Sequence, residues 1–410
     1  MHILLITVAY PPEVRSASHL MYELACELRD RDNKITVLTT APQYNIPNEE
    51  NDVISNELVI EEGIRVLRKK TLPVHKTNYV IRGIGILALP FYLFRLAKRH
   101  LNHIDMIIVY SPPFTLALLG GWLKRRFKCK NILNLHDIFP QNAIDLGILR
   151  NPIVIALLEF IERLAYNVSD YITVHSEGNL KLLLEQKNVA KEKISVLHNW
   201  VDTEPFEKAK RSGLYRTKYG LNGKFVILFA GVIGPAQGLD IILPIADNLR
   251  ENPDIVFLLV GDGTERERIE CQANKMNLQN IQFSGFVSKE EYPFLVKDVD
   301  VGLVCLNKDM KTPVVPGKIQ TYMAGAIPVV GILNKVSDGH ILIRDACAGF
   351  SVEAGNVEAS VEVIEKLYYD EDLRNRMGKA GRLYVNSHFA KSICVDNLYK
   401  IFDTISSQEE

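Results

Sequence analysis

The sequence lacks closely spaced cysteines. Its six cysteines are scattered along 410 residues, without a C-x-x-C pair: Cys26, Cys129, Cys271, Cys305, Cys347 and Cys394. Structural zinc sites and disulfide-stapled domains depend on such spacing. The pattern therefore argues against both and indicates a reducing compartment.

The sequence also has little net charge, −1, with 48 lysines and arginines against 49 aspartates and glutamates. This balance argues against a general nucleic-acid-binding protein. The N-terminal "MHILLITVAYPPE" has no basic start and soon meets two prolines, so we expect a first strand there and not a signal peptide. A chain of 410 residues exceeds what one hydrophobic core usually supports and predicts two domains.

The basic residues are unevenly distributed. Arg65–Lys130 holds fourteen lysines and arginines against one acid, Asp105. Its uncharged run, Gly83–Phe94, has 12 residues, which is too short to span a bilayer. A second cluster, Lys124–Lys130, follows an apolar helix candidate at Phe114–Leu123. Apolar faces flanked by bases favour an interfacial helix on an anionic membrane, and a buried helix with a solvated basic end is the alternative.

Apolar runs alternate with helical patterns along the chain, which is typical of parallel sheets covered on both faces. In the first half a helix is predicted over 18–29, and strands at 2–8, 35–40, 63–69, 105–110, 131–136, 171–176 and 194–199. In the second half a helix is predicted over 238–250, and strands at 224–231, 255–263, 281–286, 299–305 and 326–331. The polar segment 202–223 has no strand pattern, and we interpret it as a linker.

Two doubly wound domains are expected to bind ligands at the carboxyl ends of their strands, in a cleft. "PGKIQTYMAGA" places Lys318 at a helix start, where backbone N–H groups attract anions, and Thr321 lies three residues further on the same face. The ammonium suits a pyrophosphate and the hydroxyl a ribose. An ordinary first-turn lysine is the alternative.

A second candidate phosphate loop is "FAGVIGPAQGLD", with Gly231, Gly234 and Gly238 between a strand and a helix. Glycine lets backbone N–H groups approach phosphate closely, although the spacing is not G-x-G-x-x-G. A tight strand-to-helix turn is the alternative. Because two such loops are expected at one cleft, together they favour a nucleotide ligand.

Polar residues also end two predicted strands of the first half. His136 and Asp137 in "NLHDIFPQN" are candidates for stabilising a polarised acceptor or for proton transfer. Asn199 in "LHNWVD" is a candidate to hydrogen-bond a sugar or phosphate. A structural histidine and a turn-forming asparagine are the alternatives.

Together these motifs resemble the family 4 retaining glycosyltransferases of the GT-B fold. More narrowly, they resemble the bacterial branch that adds amino sugars such as N-acetylfucosamine to lipid-linked precursors of surface polysaccharides. The residues that carry the resemblance follow family order over nearly the whole chain: "AYPPEVRSASHLMYELACEL", "HDIFPQNAIDLG", "SEGN", "LHNWVDTEPF", "FAGVIGPAQGLD", "VGDG", "SGFVSKEEYP" and "PGKIQTYMAGAIPVV".

The resemblance implies an α/β architecture of two Rossmann-like, doubly wound parallel-sheet domains that face a central cleft. Residues 1–205 would bind the acceptor, residues 206–388 would bind the nucleotide sugar, and the final helix at 389–410 would pack back on the first domain. The implied protein is cytoplasmic and peripheral on the inner face of the plasma membrane. It would move a sugar from a UDP-sugar to a lipid-linked (polyprenyl diphosphate) saccharide in O-antigen, lipopolysaccharide or capsule synthesis.

The resemblance also implies roles for individual residues, with no metal and no cofactor besides the donor. Catalytic roles fall on His136, Asp137 and Lys318. The donor would contact Gly231, Gly234, Gly238, Val287, Pro316, Gly317, Lys318, Thr321 and Asn199. The acceptor would contact Arg15, Ser16, His19 and Phe139.

The chain departs from the family pattern in its charged residues. Where the family has two glutamates, this chain has Pro313 and Thr321. Where the family has an arginine and a lysine in the second phosphate loop, this chain has Val232 and Gln237. Lys318 is thus the basic residue that we place on the pyrophosphate. Residues that could compensate for the missing charges are Lys308, Lys311 and Arg15.

The resemblance also implies that the configuration of the transferred sugar is retained. The acceptor would attack from the front face, and the leaving phosphate would accept the acceptor's proton. Two other functions stay open. A nucleotide-sugar epimerase of the same fold would need acids or bases, and the motifs offer few carboxylates. A non-catalytic subunit that binds nucleotide sugar or lipid and assists another transferase would fit the missing family residues.

Overall fold

The computed structural model describes residues 1–13, 15–43, 57–72 and 78–407. Residues 73–77 of the basic region and 408–410 of the final predicted segment lie outside the described residues. The chain divides into two compact units. The first comprises Met1–His198 and Val395–Glu410, and the second comprises Asn199–Cys394.

In the first unit, long apolar runs form the strands and amphipathic segments form the helices. The described strands are β1 (His2–Ile6), β2 (Lys34–Thr40), β3 (Leu58–Glu61), β4 (Ile64–Lys69), β5 (Met106–Ser111), β6 (Lys130–Leu135), β7 (Tyr171–Val174) and β8 (Ile194–Val196). The described helices are α1 (Ser16–Asp30), α2 (Tyr79–His100), α3 (Thr115–Phe127), α4 (Gln141–Asp145), α5 (Pro152–Val168) and α6 (Glu177–Gln186).

The strands of the first unit form one sheet in the order β3-β4-β2-β1-β5-β6-β7-β8. The pairings are parallel except for the edge pair of β3 and β4. The chain moves from β1 towards one edge and returns at β5 to build the other, so the order reverses between β1 and β5. Such a reversal marks the usual ligand position at the carboxyl ends of the strands.

The second unit repeats this plan with fewer strands. Its described strands are β9 (Phe225–Ala230), β10 (Ile255–Val260), β11 (Ile281–Ser284), β12 (Val301–Cys305), β13 (Val329–Leu333) and β14 (Gly349–Glu353). Its helices are α7 (Glu204–Lys208), α8 (Leu214–Lys218), α9 (Ile242–Asn248), α10 (Arg266–Lys275), α11 (Tyr292–Asp298), α12 (Gly317–Ala324), α13 (Gly339–Asp345), α14 (Val357–Tyr369) and α15 (Glu371–His388). The sheet is parallel, ordered β11-β10-β9-β12-β13-β14, and reverses between β9 and β12.

The prediction of two doubly wound parallel sheets is confirmed, but the linker over 202–223 is wrong. That segment contains α7 and α8, and Tyr215 on α8 is 2% exposed. Asp298 holds the segment in place, because its carboxylate accepts the backbone N–H groups of Gly213 at 2.8 Å and Tyr215 at 2.9 Å. The helix predicted over 238–250 is also shorter: a 3₁₀ turn, Leu239–Ile241, precedes α9.

The last helix, α16 (Lys391–Ser406), begins in the second unit and continues into the first. Its C-terminal part is tied to the end of α1. Tyr399 OH accepts a hydrogen bond from Asn33 Nδ2 at 2.6 Å, and Asp396 pairs with Arg31 at 2.6 Å. Sequence analysis placed the domain boundaries at 205 and 388, and the contacts place them at His198 and Cys394.

Candidate functional site

The glycine-rich loop after β9 lies at the reversal of the second sheet. Gly231 has φ +143°, which favours glycine. A Cβ on Gly261, in the loop after β10, would lie 1.9 Å from Gly231 O, so the two backbones touch. Hydrogen bonds fix this contact, from Gly231 N to Val260 O at 2.9 Å and from Ile233 N to Asp262 O at 2.9 Å. Backbone packing and backbone hydrogen bonds therefore fix the start of the loop.

A phenol anchors α12 against the same strand. Tyr322 OH donates to Leu228 O at 3.0 Å and accepts from Ala230 N at 3.1 Å, so it satisfies backbone groups at the end of β9. Gly302 on β12 makes room for this ring, since a Cβ there would lie 2.2 Å from it. Tyr322 is one helical turn after Lys318, and its anchoring therefore fixes the lysine beside the glycine loop.

Lys318 and Gly231, which sequence analysis placed on separate phosphate loops, are in direct contact. A Cβ on Gly231 would lie 2.6 Å from Lys318 Cε and 2.9 Å from Nζ. The ammonium is half-buried and lies 4.9 Å from the centre of the Phe229 ring. No carboxylate pairs with it among the described residues. Desolvation therefore lowers the pKa of Lys318 to about 8, and the nearby Cys305 thiol opposes this in part.

An unpaired, partly desolvated ammonium is costly unless an anion approaches it. The start of α12 adds unpaired backbone N–H groups in the same place, after Pro316 in an extended conformation and the exposed Gly317. Gly238, with φ +57°, brings the glycine loop against the segment after β12, where a Cβ would lie 2.8 Å from Asn307 Cα. The arrangement suits a phosphate or diphosphate.

Two predicted donor contacts are already engaged within the unit. The Thr321 hydroxyl donates to Lys318 O at 3.0 Å and pairs with Tyr292 OH at 3.1 Å. It is therefore left with acceptor capacity only, which weakens the expected contact with a ribose hydroxyl. Gln237 Oε1 accepts the Gly234 N–H at 3.2 Å, so that backbone donor does not face a ligand freely.

The loop after β11 completes this edge of the sheet. Ser284, at the end of β11, accepts the Gly261 N–H at 3.0 Å, so the loops after β9, β10 and β11 are adjacent. Val287, predicted to hold the base through its backbone, is half-buried, while Phe286 beside it is 54% exposed. Val232, where the family carries a basic residue, is exposed. Asn199 is half-buried at the start of the second unit.

In the first unit, aromatic and imidazole rings cluster at the ends of three neighbouring strands. His136 follows β6, and its ring centre lies 4.1 Å from that of Tyr110 on β5 and 3.7 Å from that of His175 after β7. His175 Nδ1 donates to Leu197 O at 3.1 Å, which leaves its Nε2 as an acceptor. Within the described residues, Nε2 of neither histidine has a hydrogen-bond partner.

Desolvation keeps both histidines neutral. It lowers the pKa of His136 well below its usual value, with His175 contributing. It also lowers the pKa of His175 to about 4, although the bond to Leu197 opposes this. Sequence analysis missed His175 and Tyr110. The signal was available, since "YITVHS" and "NLHD" end on neighbouring strands.

Asp137 and Phe139 follow His136 in the same loop. Asp137 is exposed, yet reduced hydration by the surrounding protein raises the pKa of its carboxyl group. Phe139 stacks on Phe114 with ring centres 5.5 Å apart. The loop therefore combines an accessible acid with an apolar wall.

Arg15 differs from the expectation that it carries a free positive charge. Its Nη2 lies 2.6 Å from Glu13 Oε2 and donates to Val8 O at 2.8 Å. Glu13 is only 3% exposed, so Arg15 neutralises a buried acid of its own unit. Ser16 is exposed at the start of α1, and His19 is half-buried one turn later. Compensation for the missing family charges through Arg15 is therefore disfavoured.

In the described ranges, no group of three or more histidine, cysteine or acidic residues is placed to hold a metal ion. Asp298 and Asp300 have the D-x-D spacing that often binds metals, but both are engaged. Asp298 accepts backbone N–H groups, and Asp300 pairs with Arg216 at 2.6 Å. Across the described helices, none is long and apolar enough to cross a membrane.

Two family models match the chain. Residues 17–205 match the model described as Glycosyltransferase Family 4, and residues 213–384 match that described as Glycosyl transferases group 1. The chain is 25% identical over 380 residues to the putative colanic acid biosynthesis glycosyl transferase WcaI of Escherichia coli K12, covering 89% of this chain and 92% of that protein. It is 25% identical over 272 residues to the capsular polysaccharide biosynthesis glycosyltransferase CapM of Staphylococcus aureus, covering 62% and 67%.

Solved structures share the fold at low identity. Sucrose-phosphate synthase from Thermosynechococcus elongatus superposes with a TM-score of 0.78 at 15% identity and covers 99% of both chains. Anabaena Alr3699/HepE in complex with UDP-glucose has a TM-score of 0.72 at 17% identity, over 98% of this chain and 100% of that chain.

Proposed function

We propose that this chain, which belongs to the family 4 type of glycosyltransferases with the GT-B fold, transfers a sugar from a nucleotide sugar to a lipid-linked saccharide. One observation carries the proposal: the Lys318 ammonium, unpaired within the described residues, is in contact with Gly231 where the second sheet reverses. A diphosphate is the ligand whose charge and size suit this combination of ammonium and backbone N–H groups.

In the proposed reaction, the bond between the anomeric carbon and the diphosphate oxygen breaks. The acceptor oxygen forms the new bond to that carbon. Negative charge grows on the departing diphosphate, where Lys318 and the start of α12 stabilise it more in the transition state than in the ground state. The acceptor's proton passes to the leaving diphosphate. Attack from the face that the diphosphate leaves gives retention of configuration.

We assign His136 and Asp137 to the acceptor side of the reaction. His136 is held neutral, and its Nε2, which has no partner in the described part of the chain, is available for a hydrogen bond with an acceptor hydroxyl. The raised pKa of Asp137 suits a carboxyl group that shares a proton with a sugar hydroxyl. Arg15, Ser16, His19 and Phe139 remain our proposed acceptor contacts, with Arg15 acting as a neutral pair with Glu13.

The donor in this proposal is a UDP-sugar, with an N-acetylated hexosamine or deoxyhexosamine as the sugar. The similarity to a structure that holds UDP-glucose supports the nucleotide. Relatives named for colanic acid and capsular polysaccharide biosynthesis support a product destined for the bacterial surface. In our proposal the neutralising charge comes from Lys318 and backbone N–H groups, without a metal.

The acceptor's lipid would hold the enzyme at the inner face of the plasma membrane. The basic region contributes less free charge than its composition indicates, because Lys124 pairs with Asp170 at 2.8 Å and Arg68 pairs with Glu61. Exposed bases remain on α2 and α3, including Arg125 and Arg126. Glutamate at these two positions should release the protein from anionic vesicles, and equal binding of the variant would reject their role.

Native mass spectrometry with a panel of uridine, guanosine and thymidine diphosphate sugars identifies the donor. The released nucleotide is then measured with and without a polyprenyl diphosphate saccharide. Release that rises with this acceptor supports transfer. Tight donor binding without release, over a range of lipid acceptors, would contradict the proposed reaction.

A further inference from the structure

Helix α5 exposes a stripe of large apolar side chains. Ile153 is 79% exposed, Leu157 is 52% exposed and Phe160 is 51% exposed, and Leu164 continues the row. Their spacing of four, three and four residues places them on one helix face. The opposite face, with Ile161 and Ala165, packs in the core of the first unit. Contiguous exposed apolar rows of this kind mark interaction surfaces.

The neighbouring helices α2 and α3 extend the apolar stripe of α5. Helix α3 packs between α5 and α2, all on the side of the sheet where the first core lies. On α2, Ile84 is 54% exposed and Phe91 is 59% exposed, and both share a face with Leu87. Trp122 on α3 is partly exposed, and its ring centre lies 5.1 Å from that of Phe91. The apolar surface is therefore three helices wide.

A basic band borders this apolar surface. Each of the three helices connects parallel strands, so they run in the same direction. On α2, Arg95 and Lys98 follow Phe91 by about one and two turns on the same face. On α3, Arg125 and Arg126 follow Trp122 and are exposed. Within the described part of the chain, none of these four bases has an acidic partner.

We propose that the α5 stripe, together with the outward faces of α2 and α3, is the surface that inserts into the interface of an anionic membrane. Apolar side chains would enter the acyl boundary, and the basic band would contact lipid phosphates. The inference rests on the proposed function, because a lipid-linked acceptor requires access to the membrane. It adds α5, which the basic composition of residues 65–130 did not indicate.

The basic band favours a membrane over a second copy of the chain. In a two-fold symmetric dimer the same patch meets itself, so both copies would bring Arg95, Lys98, Arg125 and Arg126 to one interface. Like charges at an interface oppose association. Anionic headgroups instead complement the band, while the acyl boundary takes up the apolar rows.

The test compares Leu157→Ser/Phe160→Ser with wild type in flotation against vesicles of phosphatidylglycerol and phosphatidylcholine. Losing two apolar side chains that would be buried in the acyl boundary should lower the partition coefficient by about tenfold or more. Leu383→Ser is the matched control, because Leu383 is 71% exposed on α15 in the second unit and should not alter binding. Circular dichroism checks that the double variant stays folded. Equal vesicle binding of the double variant and wild type would overturn the inference.

The nature of the partner is tested in two further arms. Arg125→Gln/Arg126→Gln should weaken binding to phosphatidylglycerol vesicles and leave the weaker binding to pure phosphatidylcholine unchanged. Sedimentation analysis of wild type and Leu157→Ser/Phe160→Ser detects self-association. A wild-type dimer that dissociates in the double variant, without vesicle binding by either, would overturn the inference in favour of a second copy.

Activity separates this inference from the proposed reaction. The double variant should transfer sugar to a short-chain, water-soluble acceptor within about twofold of wild type, and lose transfer to a vesicle-borne acceptor in proportion to binding. Equal loss on both acceptors would place the stripe in the acceptor site and overturn the inference. Stripe-dependent vesicle binding in a protein that transfers no sugar would uphold the surface and refute the reaction.

Discussion

The two units share one architecture but differ in what lies at the ends of their strands. In the second unit, the backbones of Gly231 and Gly261 are in contact beside the Lys318 ammonium, which has no acidic partner among the described residues. In the first unit, the rings of His136 and His175 are held neutral, and Arg15 is neutralised by Glu13. One sheet edge thus offers a positive charge that has no acidic partner among the described residues, and the other offers neutral hydrogen-bonding rings beside the carboxyl group of Asp137.

The difference between the two strand-end edges matches the two requirements of the transfer reaction that we propose. A leaving diphosphate needs positive charge that is fixed before it arrives. A sugar hydroxyl is neutral and needs oriented donors and acceptors. Doubly wound sheets can serve both purposes because loops at the strand ends vary while the strands keep their packing.

Removing the ammonium should have the largest effect. We expect Lys318→Ala to lower kcat by about 10²–10³, the range seen when one transition-state donor is lost. Lys379→Ala, an exposed lysine on α15 of the same unit, is the control and should retain wild-type turnover. Steady-state nucleotide release measures both. Undiminished turnover in Lys318→Ala would remove the charge asymmetry on which our comparison depends.

Removing the Tyr322 hydroxyl, which anchors α12, tests what fixes the position of the Lys318 ammonium. Tyr322→Phe leaves Leu228 C=O and Ala230 N–H without their partner, which should cost about 1–3 kcal/mol in the free energy of unfolding. Tyr369→Phe, at a side chain that is 76% exposed, should cost nothing measurable.

Urea denaturation of both tyrosine variants gives the two free energies. If Tyr322→Phe is as stable as wild type, another group must satisfy the end of β9. The position of Lys318 would then depend on contacts other than this phenol.

Filling the glycine loop tests the close approach directly. The Cβ in Gly231→Ala would collide with Lys318 and would also require an unfavourable φ, so we expect about a tenfold loss of kcat/KM. Gly234→Ala is the matched variant in the same loop, because Gly234 has φ −134° and its nearest neighbour would be 3.3 Å away. Equal activity of the two variants would contradict a role for close contact.

Acidification should act on the first unit. The folded-state pKa of His136 and His175 lies below the unfolded value of 6.5, so the unfolded chain binds more protons. Their contribution to stability is complete above about pH 6.5. For each histidine it is lost as pH falls below that value, at up to about 1.4 kcal/mol per pH unit, and for His175 the loss continues to about pH 4.

Urea denaturation between pH 7 and pH 5 measures that slope. His175→Gln should make it shallower. A slope that does not respond to His175→Gln would show that burial of this ring is not the source of the pH dependence.

The fold could largely be predicted from sequence because buried parallel strands are continuous apolar runs. "HILLI" and "MIIVYS" are such runs, and they form β1 and β5. The strands β3 and β14 were missed because strands at the edge of a sheet are less buried and need not be continuous apolar runs. Strand β3 alternates between exposed and half-buried residues, and β14 has one buried residue. The exposed face of α5 was also unpredictable, since "PIVIALLEFIERLAYNV" has the composition of a core helix.

The candidate site could be predicted only where its parts are local. Glycines after a strand and a lysine at a helix start are readable, and the structure brings Gly231 and Lys318 together. The phenol of Tyr322 reaches Leu228, 94 residues away, and no periodicity indicates that contact. The pairing of Arg15 with Glu13 was missed because both residues precede a helix that gave no sign of which would be buried.

The lowered pKa of Lys318 has a consequence for calorimetry of the donor. Near pH 8 about half of the unliganded molecules hold this side chain as a neutral amine, since its pKa is about 8. A diphosphate would favour the charged form and draw a proton from the buffer. The measured heat of binding would then depend on the buffer's ionisation enthalpy.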